Sequence, residues 1–194
     1  MLGEHEKSRL RELAGRVAEI AALTIQKDRI KLWTAHNDLK TKQPVIFIDP
    51  ENGWSECISA DALLCESDLA RTWEMFLLKQ IYWFEVLKDD KVIEPFFDVP
   101  YSYSESGWGL KLKKEGGENG GAFIQKSAIQ DYAEDLPKIR YPQITMNQAE
   151  SDITLALAHE LFDGTLTMRR KTTWWWSLGI TNSLISLRGL EPFL

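Results

Sequence analysis

The chain has 194 residues, 44% of them hydrophobic and 11% aromatic, which suffices for one domain with a sizeable core and is too apolar for a disordered segment. A net charge of −6 and a pI near 5.2 argue against nucleic acid or an anionic membrane as the main partner, since phosphate is held by clustered Lys and Arg. The one basic cluster, Arg169-Arg170-Lys171, is short.

Nothing in the sequence approaches the roughly 18 apolar residues of a membrane span. The amino terminus, with Glu4, His5, Glu6 and Lys7 ahead of Leu10, has no apolar signal core. Cys57 and Cys65 form no Cys-x-x-Cys pair, so neither a zinc knuckle nor a disulfide framework is indicated. The expectation is a soluble cytoplasmic protein.

In chain order, Leu10, Leu13, Val17, Ala21 and Thr24 recur at three- and four-residue steps and predict an amphipathic helix from about Glu6 to Thr24. A second helix is predicted from Lys27 to Leu39, with Ile30, Trp33 and Leu39 inward. Residues 1–40 then form a helical extension ahead of an α/β body over 41–194.

Val45 to Ile48, bounded by Pro44 and by Asp49-Pro50, reads as a strand buried on both faces, and such strands belong to parallel sheets. The strongest helical pattern follows at Ser67 to Lys88, with Ser67 as cap and Trp73, Phe76, Leu77, Ile81, Phe84 and Leu87 inward. Val92 to Phe97 reads as a second strand, although Pro95 is disfavoured inside a ladder. Strand, helix, strand makes a βαβ unit.

From about 99 to 141 the composition shifts to Tyr, Ser, Gly and Lys. Leu110 and Leu112 alternate with Lys111 and Lys113, and the glycines from Gly116 to Gly121 precede Phe123-Ile124; a β-hairpin excursion fits. Those glycines match neither G-x-G-x-x-G nor a phosphate-binding loop. Asn147 to Phe162 returns to helix with Ile153, Leu157 and Leu161 on one face, Asn147 and Glu150 having the spacing of a capping box. Leu166 to Arg170 predicts a third strand, and Leu178 to Leu187 a final helix.

No nucleophile elbow and no H-E-x-x-H motif occurs, and His5, His36 and His159 are too scattered to form a metal site by themselves. The chemistry-bearing residues cluster instead beyond the predicted strands. Asp49, Glu51, Asn52 and Trp54 follow the first, Glu94 and Asp98 lie in or beyond the second, and Trp174 to Trp176 follow the third. If the strands are parallel neighbours, these groups share the rim where α/β proteins place ligands. Asp98 and Glu94 are then candidates for proton transfer, and Asp49, Glu51, Asn52, Trp54 and Trp176 for substrate contact. The plain alternative for Asp49 and Asn52 is to bond turn amides. The basic cluster Arg169-Arg170-Lys171 either offsets these carboxylates or binds an acidic substrate, or else is a solvated strand end, the expected case.

Four segments carry a resemblance: Ile-Asp-Pro-Glu-Asn-Gly-Trp at 48–54, Val-Ile-Glu-Pro-Phe-Phe-Asp-Val-Pro at 92–100, Ser-Gly-Trp-Gly-Leu at 106–110, and Trp-Trp-Ser-Leu-Gly-Ile-Thr with Leu-Arg-Gly-Leu-Glu across 175–191. Together they resemble the amino-terminal part of the uroporphyrinogen decarboxylase-like superfamily, which also contains the cobalamin-dependent methyltransferases. The resemblance implies a (β/α)8 TIM barrel with helices added before its first strand and the active site at the carboxyl ends of the strands. It also implies incompleteness, because such a barrel takes about 250 residues and this chain supplies about three strand–helix units.

In methyltransferase members a corrinoid is the methyl carrier and a His-x-Cys with a distant Cys binds zinc; that segment has no counterpart here. The decarboxylases carry arginines in the loop after the first strand, where this chain has Glu51, so a tetra-acid porphyrinogen would be repelled. The family's catalytic Asp after the second strand corresponds to Asp98. Three readings follow: the amino-terminal segment of a corrinoid-dependent methyltransferase or of a decarboxylase, inactive in isolation; a non-catalytic assembly module pairing through an open sheet edge with a second subunit or a second copy; or a truncated remnant.

Overall fold

A computed structural model describes residues 2–117, 122–172 and 179–193. The chain is mixed α/β and divides into two compact units, residues 1–99 with 152–170, and residues 100–151 with 171–194.

The first unit is built on helices α1 (Glu4–Ala22), α2 (Thr24–Asn37), α3 (Trp54–Cys57), α4 (Asp68–Tyr82) and most of α6 (Gln148–Phe162), with strands β1 (Phe96–Val99) and β6 (Thr167–Arg170). In α1 the stripe Leu10, Leu13, Ala14, Val17 and Ile20 is buried, which packs the helix along α4. Trp73 and Leu77 of α4, Phe97 and Val99 of β1, and Ala158, Leu161 and Phe162 of α6 complete one core. Its centre is aromatic: Phe97 lies 4.6 Å from Phe162, 5.3 Å from Trp73 and 5.2 Å from Phe76, with the last two contacts edge-on.

β1 and β6 pair in parallel, Phe96 opposite Thr167 and Asp98 opposite Arg169. Pro95 does not weaken this ladder, because the strand starts one residue later and the Pro95 carbonyl accepts the Thr167 amide at 2.8 Å. Burial alternates along β1, with Phe97 and Val99 in the core and Phe96 and Asp98 on the opposite face.

Three expectations are corrected. Val45 to Ile48 forms no ladder, and Ile46, Phe47 and Ile48 are exposed rather than buried on both faces. Carboxylates stand in for a neighbouring strand: Asp90 Oδ2 accepts the Ile46 amide and Asp89 Oδ2 the Ile48 amide, both at 2.8 Å, while the Ile46 carbonyl accepts the Asp90 amide. α2 ends at Asn37, before the expected Leu39, which is exposed; within it Ile30 lies outside and Gln26 is the buried residue, its Oε1 accepting the Ile93 amide. In α6 the buried line runs through Ala158, Leu161 and Phe162, leaving Ile153 exposed.

The long helix also ends differently from expectation. Ser67 makes no side-chain cap; α4 passes into a π-helical turn, Trp83–Leu87, closed by Lys88 in the left-handed region.

The second unit contains two antiparallel pairs, β2 (Tyr103–Glu105) with β5 (Ile144–Met146) and β3 (Lys113–Gly116) with β4 (Phe123–Lys126); the latter is the expected hairpin, but its first strand begins at Lys113, leaving the alternating Leu110 and Leu112 ahead of it and taking in Gly116. It also contains α5 (Tyr132–Asp135), α7 (Ile180–Arg188), α8 (Leu190–Phe193) and the first turn of α6, where Asn147 Oδ1 accepts the Glu150 amide at 3.1 Å as expected of a cap. The return bond to Glu150 Oε2 at 2.9 Å comes from the Asn147 side-chain amide, the Asn147 backbone N–H donating instead to the Ser102 carbonyl. No closed barrel is present among the described residues, whose sheets are each two-stranded. No helix among them is long and apolar enough to cross a membrane.

Candidate functional site

The face of β1 turned away from the core carries Asp98, and its register neighbour on β6 is Arg169. Parallel pairing sets the two side chains abreast, and they close a two-point ion pair, Nε to Oδ1 at 2.6 Å and Nη2 to Oδ2 at 3.1 Å. The guanidinium also lies 4.1 Å from the centre of the Phe96 ring. Its pKa is raised, first by the hydrogen bond to Asp98, with Glu94 adding to the attraction. Glu94 itself is exposed.

A second group forms where Pro44 to Trp54 meets the end of the π-helical turn. Asp49 Oδ1 accepts the Glu51 amide and the Trp54 indole N–H, both at 3.0 Å, so Asp49 performs the turn-bonding role. Trp54 is only 6% exposed and packs edge-on to Trp83 at 4.6 Å, while the Trp83 indole donates to the Ile48 carbonyl. Lys91 Nζ sits 4.0 Å above the Trp83 ring and 5.1 Å from that of Phe47. Burial pushes the Lys91 pKa down, against the opposing pull of Asp89, Asp49 and Glu94. Glu51 and Asn52 lie exposed in the short 3-10 turn beyond Asp49.

Of the residues singled out in the sequence, Asp98 is held by Arg169 and Asp49 by its own turn, while Glu94 and Asp49 add only a weak electrostatic pull on the cations and, among the described residues, form no ion pair with Arg169 or Lys91. Glu51, Asn52 and Trp54 belong to the same loop, while Trp176 lies outside the described residues. Sequence reasoning missed Lys91 and Trp83. The available signal was a lysine directly after two acids and ahead of an apolar run, in a chain where most lysines fall among polar residues. Arg169, favoured from sequence as a solvated strand end over a role in offsetting the carboxylates, takes the second role as the partner of Asp98.

Chemically, the Asp98–Arg169 pair offers a carboxylate of fixed orientation on an accessible sheet face, and the Lys91 group offers an ammonium wrapped by aromatic rings. Among the described residues no group of three or more His, Cys, Asp or Glu side chains is placed to hold a metal ion. Compared with family models, with curated proteins and with solved structures, the chain matches none.

Proposed function

We propose that the chain is the amino-terminal segment of a uroporphyrinogen decarboxylase-like enzyme of the corrinoid-dependent, methyl-transferring type, its strands being part of a (β/α)8 barrel. The observation that carries this reading is the parallel β1–β6 pair, whose two strands are joined through a helix and whose face opposite the helices bears the ion-paired Asp98. In an α/β barrel that face lines the interior, and its carboxyl end borders the active site. A parallel sheet is ordinarily covered on both faces, so two strands with a charged, accessible face suit a segment that acts together with further strands.

In this reading Asp98 transfers a proton at the reacting centre, with Arg169 fixing its orientation, and Glu94 is the second carboxylate. The exposed Glu51 and Asn52, with Trp176, are the substrate-contact residues, and Asp49 and Trp54 hold the turn that presents Glu51 and Asn52. A corrinoid supplies the methyl group when bound. The zinc of the methyl-transferring enzymes does not fit the described residues, which hold no donor set for it, so no step is drawn through it. The acidic loop at Glu51 disfavours a polycarboxylate substrate and hence the decarboxylase alternative.

The test is methyl transfer from methylcobalamin to a thiol, with tryptophan fluorescence as the binding signal. Saturable quenching by methylcobalamin without turnover by this chain alone is expected. Robust turnover by the chain alone overturns the claim that it is a segment, and absence of quenching overturns the corrinoid assignment. The assembly-module reading is favoured by a different observation, the exposed Ile46-Phe47-Ile48 run.

A further inference from the structure

Ile46 and Ile48 direct their main-chain groups to one side. The amide of each is taken by a carboxylate of Asp89 or Asp90, the Ile46 carbonyl accepts the Asp90 amide, and the Ile48 carbonyl accepts the Trp83 indole N–H. That alternation is the signature of an extended edge with one side satisfied. The intervening residues, Val45, Phe47 and Asp49, face the other way, and their main-chain amides and carbonyls take no partner among the described residues.

The side chains are as open as the main chain, Ile46 being 58%, Phe47 49% and Ile48 43% exposed. An apolar strand with a free edge is a template for another strand. The sequence here is close to symmetric about Phe47: Ile46 and Ile48 flank it, then Val45 and Asp49, then Pro44 and Pro50. The prolines, which lack an amide, fall on the parity of residues whose groups turn away from the open edge. Every residue facing that edge keeps its donor.

From this symmetry we infer that two copies of the chain associate through antiparallel pairing of Val45 to Asp49 about a two-fold axis at Phe47. Phe47 meets Phe47 of the second copy and exchanges both hydrogen bonds with it. Val45 meets Asp49, and Ile46 meets Ile48 in the closer, non-hydrogen-bonded positions. The contact is isologous and closes on itself, so it yields a dimer and not a fibre. The inference does not rest on the decarboxylase-like reading.

Sedimentation velocity over a concentration series tests it, with circular dichroism to confirm that each variant folds; both substituted side chains are exposed. The unaltered chain sediments as a reversible dimer. Ile46→Lys with Ile48→Lys sets like charges opposite one another and weakens the dimer roughly tenfold or more. Ile46→Lys with Ile48→Glu keeps it, because each Lys then faces a Glu only in the antiparallel register. A chain that stays monomeric throughout overturns the inference and leaves the edge to a strand of another polypeptide. So does a dimer untouched by the two lysines, and a dimer lost in the Lys/Glu variant overturns the antiparallel register.

Discussion

The carboxylate of Glu6, near the start of α1, accepts the amides of Gly3, Glu66 and Ser67 and the Ser67 hydroxyl, all between 2.9 and 3.1 Å. It thereby caps its own helix and receives the donors at the start of α4. The Ser67 amide bond, followed by that from Gly3, holds its pKa at about 2 against an ordinary 4.5. Because the folded value is the lower one, the stabilisation is complete above 4.5 and fades as pH falls from there towards 2. Glu6→Gln is expected to cost about 2 kcal/mol and to flatten the acid side of the stability profile, as urea titrations between those pH values would record. A mutant profile with the parental slope would refute the assignment.

Asp98 makes the opposite case. Its ion pair with Arg169 is well formed, but the two side chains are 24% and 37% exposed. Solvent screens such a pair, so Asp98→Asn should lower stability by less than about 1 kcal/mol. Urea midpoints measure this. A loss several times larger would mean that the pair chiefly holds β1 to β6 and has no need of a chemical role.

At the scale of elements, the wedge of Phe97 between Trp73, Phe76 and Phe162 joins β1 to α4 and α6. Phe97→Ala should therefore cost about 3–5 kcal/mol, readable by thermal melting. A loss near 1 kcal/mol would show the core able to collapse into the vacated volume.

These elements also show what was legible in the sequence. Periodicity located α1 and α4, whose buried apolar stripes dominate their own patterns, and it placed α6 and α7 although Ile153 of α6 is exposed and α7 buries only Leu187. Strands are predicted at Val92 to Phe97 and Leu166 to Arg170 and the ladder forms over Phe96–Val99 and Thr167–Arg170, but the expected βαβ partner of the former, Val45 to Ile48, forms no ladder. Sequence reading failed for Val45 to Ile48, where composition announces a buried strand but the flanking groups that engage it are the side chains of Asp89 and Asp90. Composition does not reveal that a carboxylate has replaced a ladder carbonyl. It failed also for the Ser67 cap, since Glu6, 61 positions earlier, supplies the acceptor. Of the candidate site, Asp98 could be read from its place beside a predicted strand, whereas Asp49 follows a run that forms no ladder and Glu94 precedes β1. Their cations could not, because Lys91 meets Trp83 and Phe47 only through the fold.

At the scale of the molecule, apolar burial is divided unevenly. The first unit holds the whole of the aromatic and aliphatic cluster, whereas in the second Ile129 and Leu187 are the buried apolar residues among those described. Tyr103, Ile144 and Met146 of the β2–β5 pair are each more than half exposed. Local opening free energy follows buried contacts. Hydrogen exchange followed by mass spectrometry should show slow amides in α1, α4 and the latter part of α6, and fast ones in β2 to β5. Equal protection of both units would contradict this division.

Asp98 and Arg169 are 71 positions apart in the chain yet abreast in the sheet. During synthesis α1 and α4 can dock early, but Phe97 must wait for Phe162, and β1 for β6, until the ribosome has passed Arg170. Sheet closure is thus the late event, and its entropic cost grows only logarithmically with the length spanned. Halving the intervening segment would ease it by about 0.6 kcal/mol, roughly a threefold gain in closing rate. Lengthening or trimming of residues 100–151 is tolerated by the same arithmetic, and evolution has wide latitude to vary that excursion without unmaking the core.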